Sequence, residues 1–230
     1  EAMGFAPPQF AHLPQILGMD KARLSKRHGA AAVLDLRGDG YLPGCVLNFL
    51  ALLGWSYNEK DELFTLPELV EKFTLERVGT APAVFNSEKL EWMNGVYIRK
   101  MPADDLTADL SARLKEALGG KAEYDQALVG DAGYTGQVVT LLKDGLKVLA
   151  EVVDQGDFFF RKEVDWEEVT KAKFMAWPGV AGIMAAIGTI VAKSEPFLAS
   201  NLESTCRAAA EPLGVKFKDL VHPTRFALTG

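Results

Sequence analysis

The chain has 230 residues, enough to bury one large core or two small ones, and its 48% apolar and 24% charged content excludes disordered and collagen-like classes. A net charge of −6, from 25 basic and 31 acidic side chains, excludes a protein that coats nucleic acid with a uniformly basic surface and leaves only local basic patches. Two cysteines, three histidines and no CxxC pair exclude a disulfide framework and zinc-ligand spacing, so no metal site is expected, the setting is read as reducing and cytoplasmic, and Cys45 and Cys206 read as small core residues.

The first extended stretch is expected at His12 to Leu17, followed by a turn at Gly18-Met-Asp20 and the basic segment Arg23 to Gly29. Beyond residue 30 helical periodicity dominates. Leu42, Val46, Phe49, Leu50 and Leu53 share one helical face, with Gly54 as a C-terminal stop. Thr65-Leu-Pro-Glu68 has the pattern of a capping box and opens a short helix to about Phe73. Ser87 is expected to cap a helix through Arg99 or Lys100 that carries Trp92 and Tyr97, and another helix runs from Pro102 to about Leu118, before Gly119-Gly120. The stretch holding Gly130, Gly133 and Gly136 lacks a clear pattern, Val138 to Val153 resumes an amphipathic one, and Asp165-Trp-Glu-Glu168 reads as a second capping box. Phe158-Phe-Phe160 reads as a packing anchor between helices.

Phe174 to Ala192 carries no charge, but Pro178 and Gly179 interrupt it. A helix from Pro178 to Lys193 would rise roughly 24 Å against a hydrocarbon core of about 30 Å, so it reads as a buried helix of a protein without a membrane span, with Gly182 and Gly188 allowing a close neighbour. Leu198, Leu202, Cys206, Ala209 and Leu213 form a further stripe, and Phe226 to Thr229 looks extended. The fold class is therefore mainly α with a little β. The expected domains are residues 1–101 and 102–230, with Gly119-Gly120 as the alternative boundary. Both ends read as cut, which points to a piece of something longer.

The basic segment is the chemically suggestive one. Between residues 18 and 29, Lys21, Arg23, Lys26 and Arg27 face a single acid, Asp20, so an acidic chain concentrates positive charge at one place. A lysine about 4 Å from a phosphate oxygen gains on the order of 4 kcal/mol at an effective dielectric near 20, before desolvation. No GxxxxGK[ST], GxGxxG or HExxH accompanies it, so the chain offers a phosphate-compatible loop without a complete active site. On composition alone a solvated loop remains the alternative.

Arg23-Leu-Ser-Lys-Arg27, followed by His28-Gly29, resembles the second signature loop of class I aminoacyl-tRNA synthetases in the form found in bacterial glutamyl-tRNA synthetases. The resemblance extends in order through Phe10-Ala-His-Leu-Pro14, Gly40-Tyr-Leu-Pro43, Asn48-Phe-Leu-Ala-Leu-Leu-Gly-Trp55, Ala83-Val-Phe85, Lys89-Leu-Glu-Trp92-Met-Asn94 and His222-Pro-Thr-Arg-Phe-Ala-Leu-Thr-Gly230. It implies a ligase that condenses glutamate with ATP to glutamyl-adenylate and pyrophosphate, with magnesium accompanying ATP, then transfers the glutamyl group to tRNA-Glu. It implies a monomer. Lys26 matches the catalytic lysine that stabilises charge on departing pyrophosphate, within an ATP-binding loop of Arg23, Leu24, Ser25, Lys26 and Arg27. Arg23 departs from the family's usual lysine, and a planar fork is not equivalent to an ammonium.

The resemblance also implies that residues 1–101 hold the end of the catalytic core and a helical connecting (stem-contact) domain, and that residues 102–230 are a helical anticodon-binding region. The family's first signature loop and glutamate pocket have no counterpart here, so the segment alone is expected to be inactive. Gly145 stands where a basic residue is expected, which leaves Lys143, Lys147 and Arg225 as candidate tRNA contacts. The alternative function is a non-catalytic helical module that binds tRNA.

Overall fold

The computed structural model describes residues 4–5, 10–25 and 32–229. Among them are twelve α-helices and two short strands, the mainly helical class that the periodicity predicts. By packing, the chain divides into two units, Glu1–Gly120 with Gln126–Asp157, and Lys121–Asp125 with Phe158–Gly230.

In the first unit, β1 (Ile16–Leu17) pairs in parallel with β2 (Ala83–Val84), Ile16 opposite Ala83 and Leu17 opposite Val84. Only the last two residues of the expected extended stretch are strand, and β2 is too short to show an alternation. The helices are α1 (Val33–Asp39), α2 (Pro43–Leu52), α3 (Leu66–Lys72), α4 (Ser87–Lys100), α5 (Ala103–Leu118), α6 (Gln126–Gly130), α7 (Ala132–Leu142) and α8 (Glu151–Gly156). On α2 the buried stripe is Cys45, Val46, Asn48 and Phe49, with Leu42 buried at the N-cap, while Leu50 of the predicted face is exposed. Burial pushes the Cys45 thiol up to about 12, consistent with its reading as a core residue.

The capping box at α3 is present: the Thr65 N–H and hydroxyl donate to Glu68 Oε2 at 2.7 and 2.8 Å, and these bonds hold the Glu68 carboxyl below its usual range. At α4 the cap is Asn86 rather than Ser87; its side chain accepts from the Lys89 N–H at 3.0 Å, which leaves Ser87 as the first helical residue. Leu106, Leu110, Leu114 and Leu118 line the buried edge of α5, against which α7 and α8 pack.

Two stretches differ from the sequence expectation. The glycine-containing segment forms α6 and α7 because Asp131 caps α7, its Oδ1 accepting from Gly133 and Tyr134 N–H at 2.8 and 3.1 Å, and because Val138 and Val139 are buried. The amphipathic stretch from Val138 to Val153 is not one helix: α7 stops at Leu142, a single 3-10 turn spans Lys143–Gly145, and α8 starts at Glu151. The break releases backbone groups for long-range use. Leu149 N–H donates to Gly40 C=O at 3.1 Å and Ala150 N–H to Asp39 C=O at 3.3 Å. Gly40 has φ +89°, and a Cβ there would lie 2.7 Å from Leu149 Cβ, so only glycine fits.

Asn94 of α4 completes this junction. Its side chain is wholly buried; Oδ1 accepts from Leu42 N–H at 2.8 Å, and Nδ2 donates to the part-buried Lys147 C=O at 2.6 Å. Asn48 plays a parallel part for the loop before α3, accepting from Phe64 N–H at 2.8 Å and from the Tyr97 hydroxyl at 2.7 Å. Tyr97 is thus a packing residue, its phenol pushed up to about 12 chiefly by burial.

The second unit contains α9 (Glu168–Met175), α10 (Val180–Lys193), α11 (Ala199–Ala210) and α12 (Phe217–Thr229), built on a core of Ile183, Ile187, Ile190, Ala210 and Leu220. The predicted capping box at Asp165 is not formed: Asp165 lies 3.9 Å from Arg161, and α9 starts later with Glu167 at its N-cap. Helix α10, uncharged up to its last residue Lys193, buries one face only, and a Cβ on Gly182 or Gly188 would meet nothing within 4 Å, so neither glycine admits a close neighbour. Of the stripe on α11, Leu202, Cys206 and Ala209 pack on the core, whereas Leu198 and Leu213 flank it exposed. Phe226 to Thr229, expected to be extended, is the last turn of α12. Packing decides this: Phe226 stacks on Phe174 at 4.8 Å, and its carbonyl accepts from Trp166 Nε1 at 3.3 Å. Phe160 is wholly buried, the anchor expected of the triple phenylalanine. Among the described residues no single helix is long and apolar enough to cross a membrane; α9 and α10 pass that test only as a pair bent by 93°.

Replacing Asn94 with Leu keeps the branched shape but leaves the Leu42 N–H buried without a partner and removes the donor to the Lys147 C=O. The expected loss is about 2–4 kcal/mol of unfolding free energy, seen as a lower urea midpoint at unchanged slope. A loss below about 0.5 kcal/mol would show that the junction does not depend on this amide.

Candidate functional site

The basic segment begins on a small, fully bonded sheet. Along β1 the carbonyls alternate in use: Gln15 and Leu17 accept from Ala83 and Phe85 N–H on the β2 side at 3.0 and 2.8 Å, while Ile16 accepts from Leu24 N–H on the other side at 3.0 Å. Arg23 bridges back to Leu17, so residues 16 to 24 form a tight antiparallel reversal. Its turn is closed by Gly18 N–H to Ala22 C=O at 2.8 Å and by Asp20 Oδ1 accepting from Ala22 N–H at 3.0 Å, with Lys21 at φ 62°. The acid nearest the basic run therefore serves the turn. Arg23 and Ser25 are exposed and Leu24 is half-buried. Lys26 and Arg27, with His28 and Gly29, lie outside the described residues.

The reversal is located by one backbone contact. Gly54, just past α2, has φ +118°, and a Cβ there would lie 2.5 Å from Pro14 Cγ. Pro14 thus rests directly on the Gly54 backbone, which fixes the approach to β1 against the end of α2. The chain is described again at Ala32, whose N–H donates to Asp35 Oδ2 at 2.8 Å as α1 starts.

The candidate tRNA contacts separate by environment. Lys143 is 8% exposed, and its Nζ donates to the Arg99 carbonyl at 3.0 Å and lies 3.6 Å from Asp144, so its charge supports the turn after α7. Lys147 is exposed, with Nζ 3.9 Å from Glu91, and Arg225 is exposed on α12 in the other unit. Trp92 is half-exposed on α4. The sequence marks Gly54 only as a helix stop and gives Asn94 no structural part. For Asn94 the signal was available, since a polar residue between Leu90 and Ile98 sits on an apolar helical face. Among the described residues no cluster of His, Cys, Asp or Glu could hold a metal ion.

Comparison with known proteins adds an independent line. Residues 1–92 match the family described as tRNA synthetases class I (E and Q), catalytic domain, and residues 106–230 match the family described as anticodon binding domain. The chain is 37% identical over 230 residues to the glutamate–tRNA ligase of Moorella thermoacetica, covering 100% of this chain and 46% of that one. It is 36% identical over 236 residues to the glutamate–tRNA ligase of Dehalococcoides mccartyi, covering 100% of this chain and 47% of that one. A crystal structure of a glutamate tRNA ligase from Elizabethkingia meningosepticum, in complex with its amino acid, matches with a TM-score of 0.75 at 26% identity, over 99% of this chain and 47% of that one. The chain spans about half the length of the curated relatives it matches.

Substituting Gly54 with Ala places a methyl group into Pro14 and imposes a left-handed conformation on a non-glycine residue. Strain on the order of 1–3 kcal/mol is expected. Hydrogen exchange at the Leu24, Ala83 and Phe85 amides should accelerate relative to α5, whereas unchanged protection at all three would show that Pro14 does not hold the sheet.

Proposed function

We propose that the chain, which belongs to the anticodon-binding-domain family through residues 106–230, is the C-terminal part of a glutamate–tRNA ligase, supplying the phosphate-contacting loop and the tRNA-binding helices. The observation that carries this reading is the order of parts in one chain. A stretch of catalytic-domain sequence with the basic loop is followed by an anticodon-binding domain, and the relatives that share this order throughout are glutamate–tRNA ligases. The proposed functional boundary near residues 101 and 102 is supported by the gap between the matches to residues 1–92 and 106–230.

In the reaction, the glutamate carboxylate attacks the α-phosphorus of ATP, the bond to pyrophosphate breaks, and the terminal ribose hydroxyl of tRNA-Glu then takes the glutamyl group, releasing AMP. Lys26 is the catalytic residue of this segment. Its ammonium follows the negative charge that builds on the departing pyrophosphate, a task suited to a point charge on a flexible stem. Arg23, Leu24, Ser25 and Arg27 complete the ATP-binding loop. Arg23 leaves the sheet exposed, where its fork can take two phosphate oxygens at once. ATP arrives with magnesium held by its own phosphates. Lys147 and Arg225 are the exposed candidates for tRNA phosphates or bases, and Lys143 supports the segment from within. The whole ligase acts as a cytoplasmic monomer, and this segment alone does not activate glutamate.

In the whole ligase, Lys26→Ala should lower the rate of ATP–pyrophosphate exchange by roughly a hundredfold to a thousandfold, as for a removed charge-stabilising donor. Near-normal exchange would refute the assignment of Lys26. No exchange in the unsubstituted protein, together with salt-dependent tRNA binding, would favour the non-catalytic module instead.

A further inference from the structure

Helix α3 is apolar on two faces. Leu69 packs inward with Trp55 and Phe64, but Leu66, Val70 and Phe73, spaced at i, i+4 and i+7, form a second stripe that faces outward, with Leu66 and Val70 54% and 76% exposed. A helix that is apolar on both sides belongs inside a protein rather than on its surface. With Leu13, Leu47 and Leu50, the stripe lines a groove of about 530 Å³, and none of the residues that line it is charged. Leu47 and Leu50 also line a neighbouring groove of about 600 Å³ beside α1, where Val33 and Leu34 are exposed. The two grooves therefore form one continuous apolar surface across the outward side of α2. Single exposed apolar side chains are ordinary, whereas a continuous surface of this kind marks a docking face.

Three observations bear on what covers it. Leu13, Val33, Leu34, Leu47, Leu50 and the α3 stripe all lie in residues 1–92, the part that matches the catalytic-domain family, and the chain spans about half the length of the relatives it matches. Leu13 leads into β1, and β1 and β2 make a parallel sheet of only two described strands with Val84 exposed. Parallel sheets are stable when further elements cover both of their faces, and two strands alone are marginal. The chemistry of the groove also disfavours RNA, whose binding faces are polar and rich in cations, and favours a protein surface of the permanent, apolar kind.

We propose that the groove across α2 and α3 is the docking face for the part of the catalytic domain that precedes Glu1 in the whole ligase. This rests on the ligase reading given above. The apolar stripe of α3 is then a core stripe of the complete catalytic domain, and Leu47 and Leu50 join the two grooves into one interface.

The test is photocrosslinking in the whole ligase, with a diazirine analogue of leucine in place of Leu66 or of Val70, and in place of the buried Leu69 as a control for the photochemistry. At Leu69 the probe should label the core of the first unit, Trp55 and Phe64 included. At Leu66 and Val70 the expected products are adducts within one chain, at unchanged molecular mass, on peptides that precede Glu1. Probes quenched by water at both positions, adducts confined to residues 1–230, adducts of doubled mass that mark a second copy, or adducts formed only on added tRNA would overturn the proposal. ATP–pyrophosphate exchange by the same protein separates the two levels. Exchange without adducts preceding Glu1 overturns this inference alone, whereas a folded protein without exchange overturns the ligase reading and the inference with it.

Discussion

The first unit depends on the buried amide of Asn94. One carboxamide satisfies the Leu42 N–H at the start of α2 and the Lys147 carbonyl after the break that follows α7, groups that no regular helix could pair. An unpaired buried peptide group costs about 1–3 kcal/mol, so the amide makes the sharp turn between α1 and α2 tolerable and keeps the 146–150 segment against it. Gly40 belongs to the same constraint, since its left-handed backbone lets Leu149 approach to a distance that a side chain would forbid. Once these are in place, the carbonyls at the end of α1 face the Leu149 and Ala150 N–H groups and Arg113.

This junction links the stretch that matches the synthetase catalytic-domain family with the stretch that matches the anticodon-binding family. The basic segment concentrates charge in a chain that is acidic overall, a distribution suited to drawing in a polyanion at one place. Pro14 on Gly54 and the bonds of β1 fix its first described residues, Arg23 and Leu24. Lys143, buried beside the Arg99 carbonyl, shows the opposite use of a cation, as a hydrogen-bond donor to the fold.

Local signals carried far in the sequence. The helix α2 and its Val46 and Phe49, the capping box of α3 and the end of α5 at Leu118 are each written locally, and each forms where the sequence places it. What failed was decided by partners distant in the chain. Glycine lowers helix propensity by about 1 kcal/mol per residue, which obscured α7 until the Asp131 cap and buried valines offset it. The break at Lys143–Gly145 exists because Leu149 and Ala150 are needed at α1, and no pattern between 138 and 153 encodes that. Phe226 to Thr229 follows the stacking of Phe226 on Phe174 rather than its own strand-like composition. Residue types alone left the basic loop open between a phosphate contact and a solvated loop, and the Arg113 bond to Gly38, which spans 75 residues, had no local signature.

The most direct measurement is aminoacylation by the whole ligase with labelled glutamate, ATP and purified tRNAs. Glutamate attached to tRNA-Glu, and not to tRNAs with unrelated anticodons, is the predicted result. A folded protein that consumes no ATP and attaches no glutamate to tRNA-Glu would contradict the functional assignment.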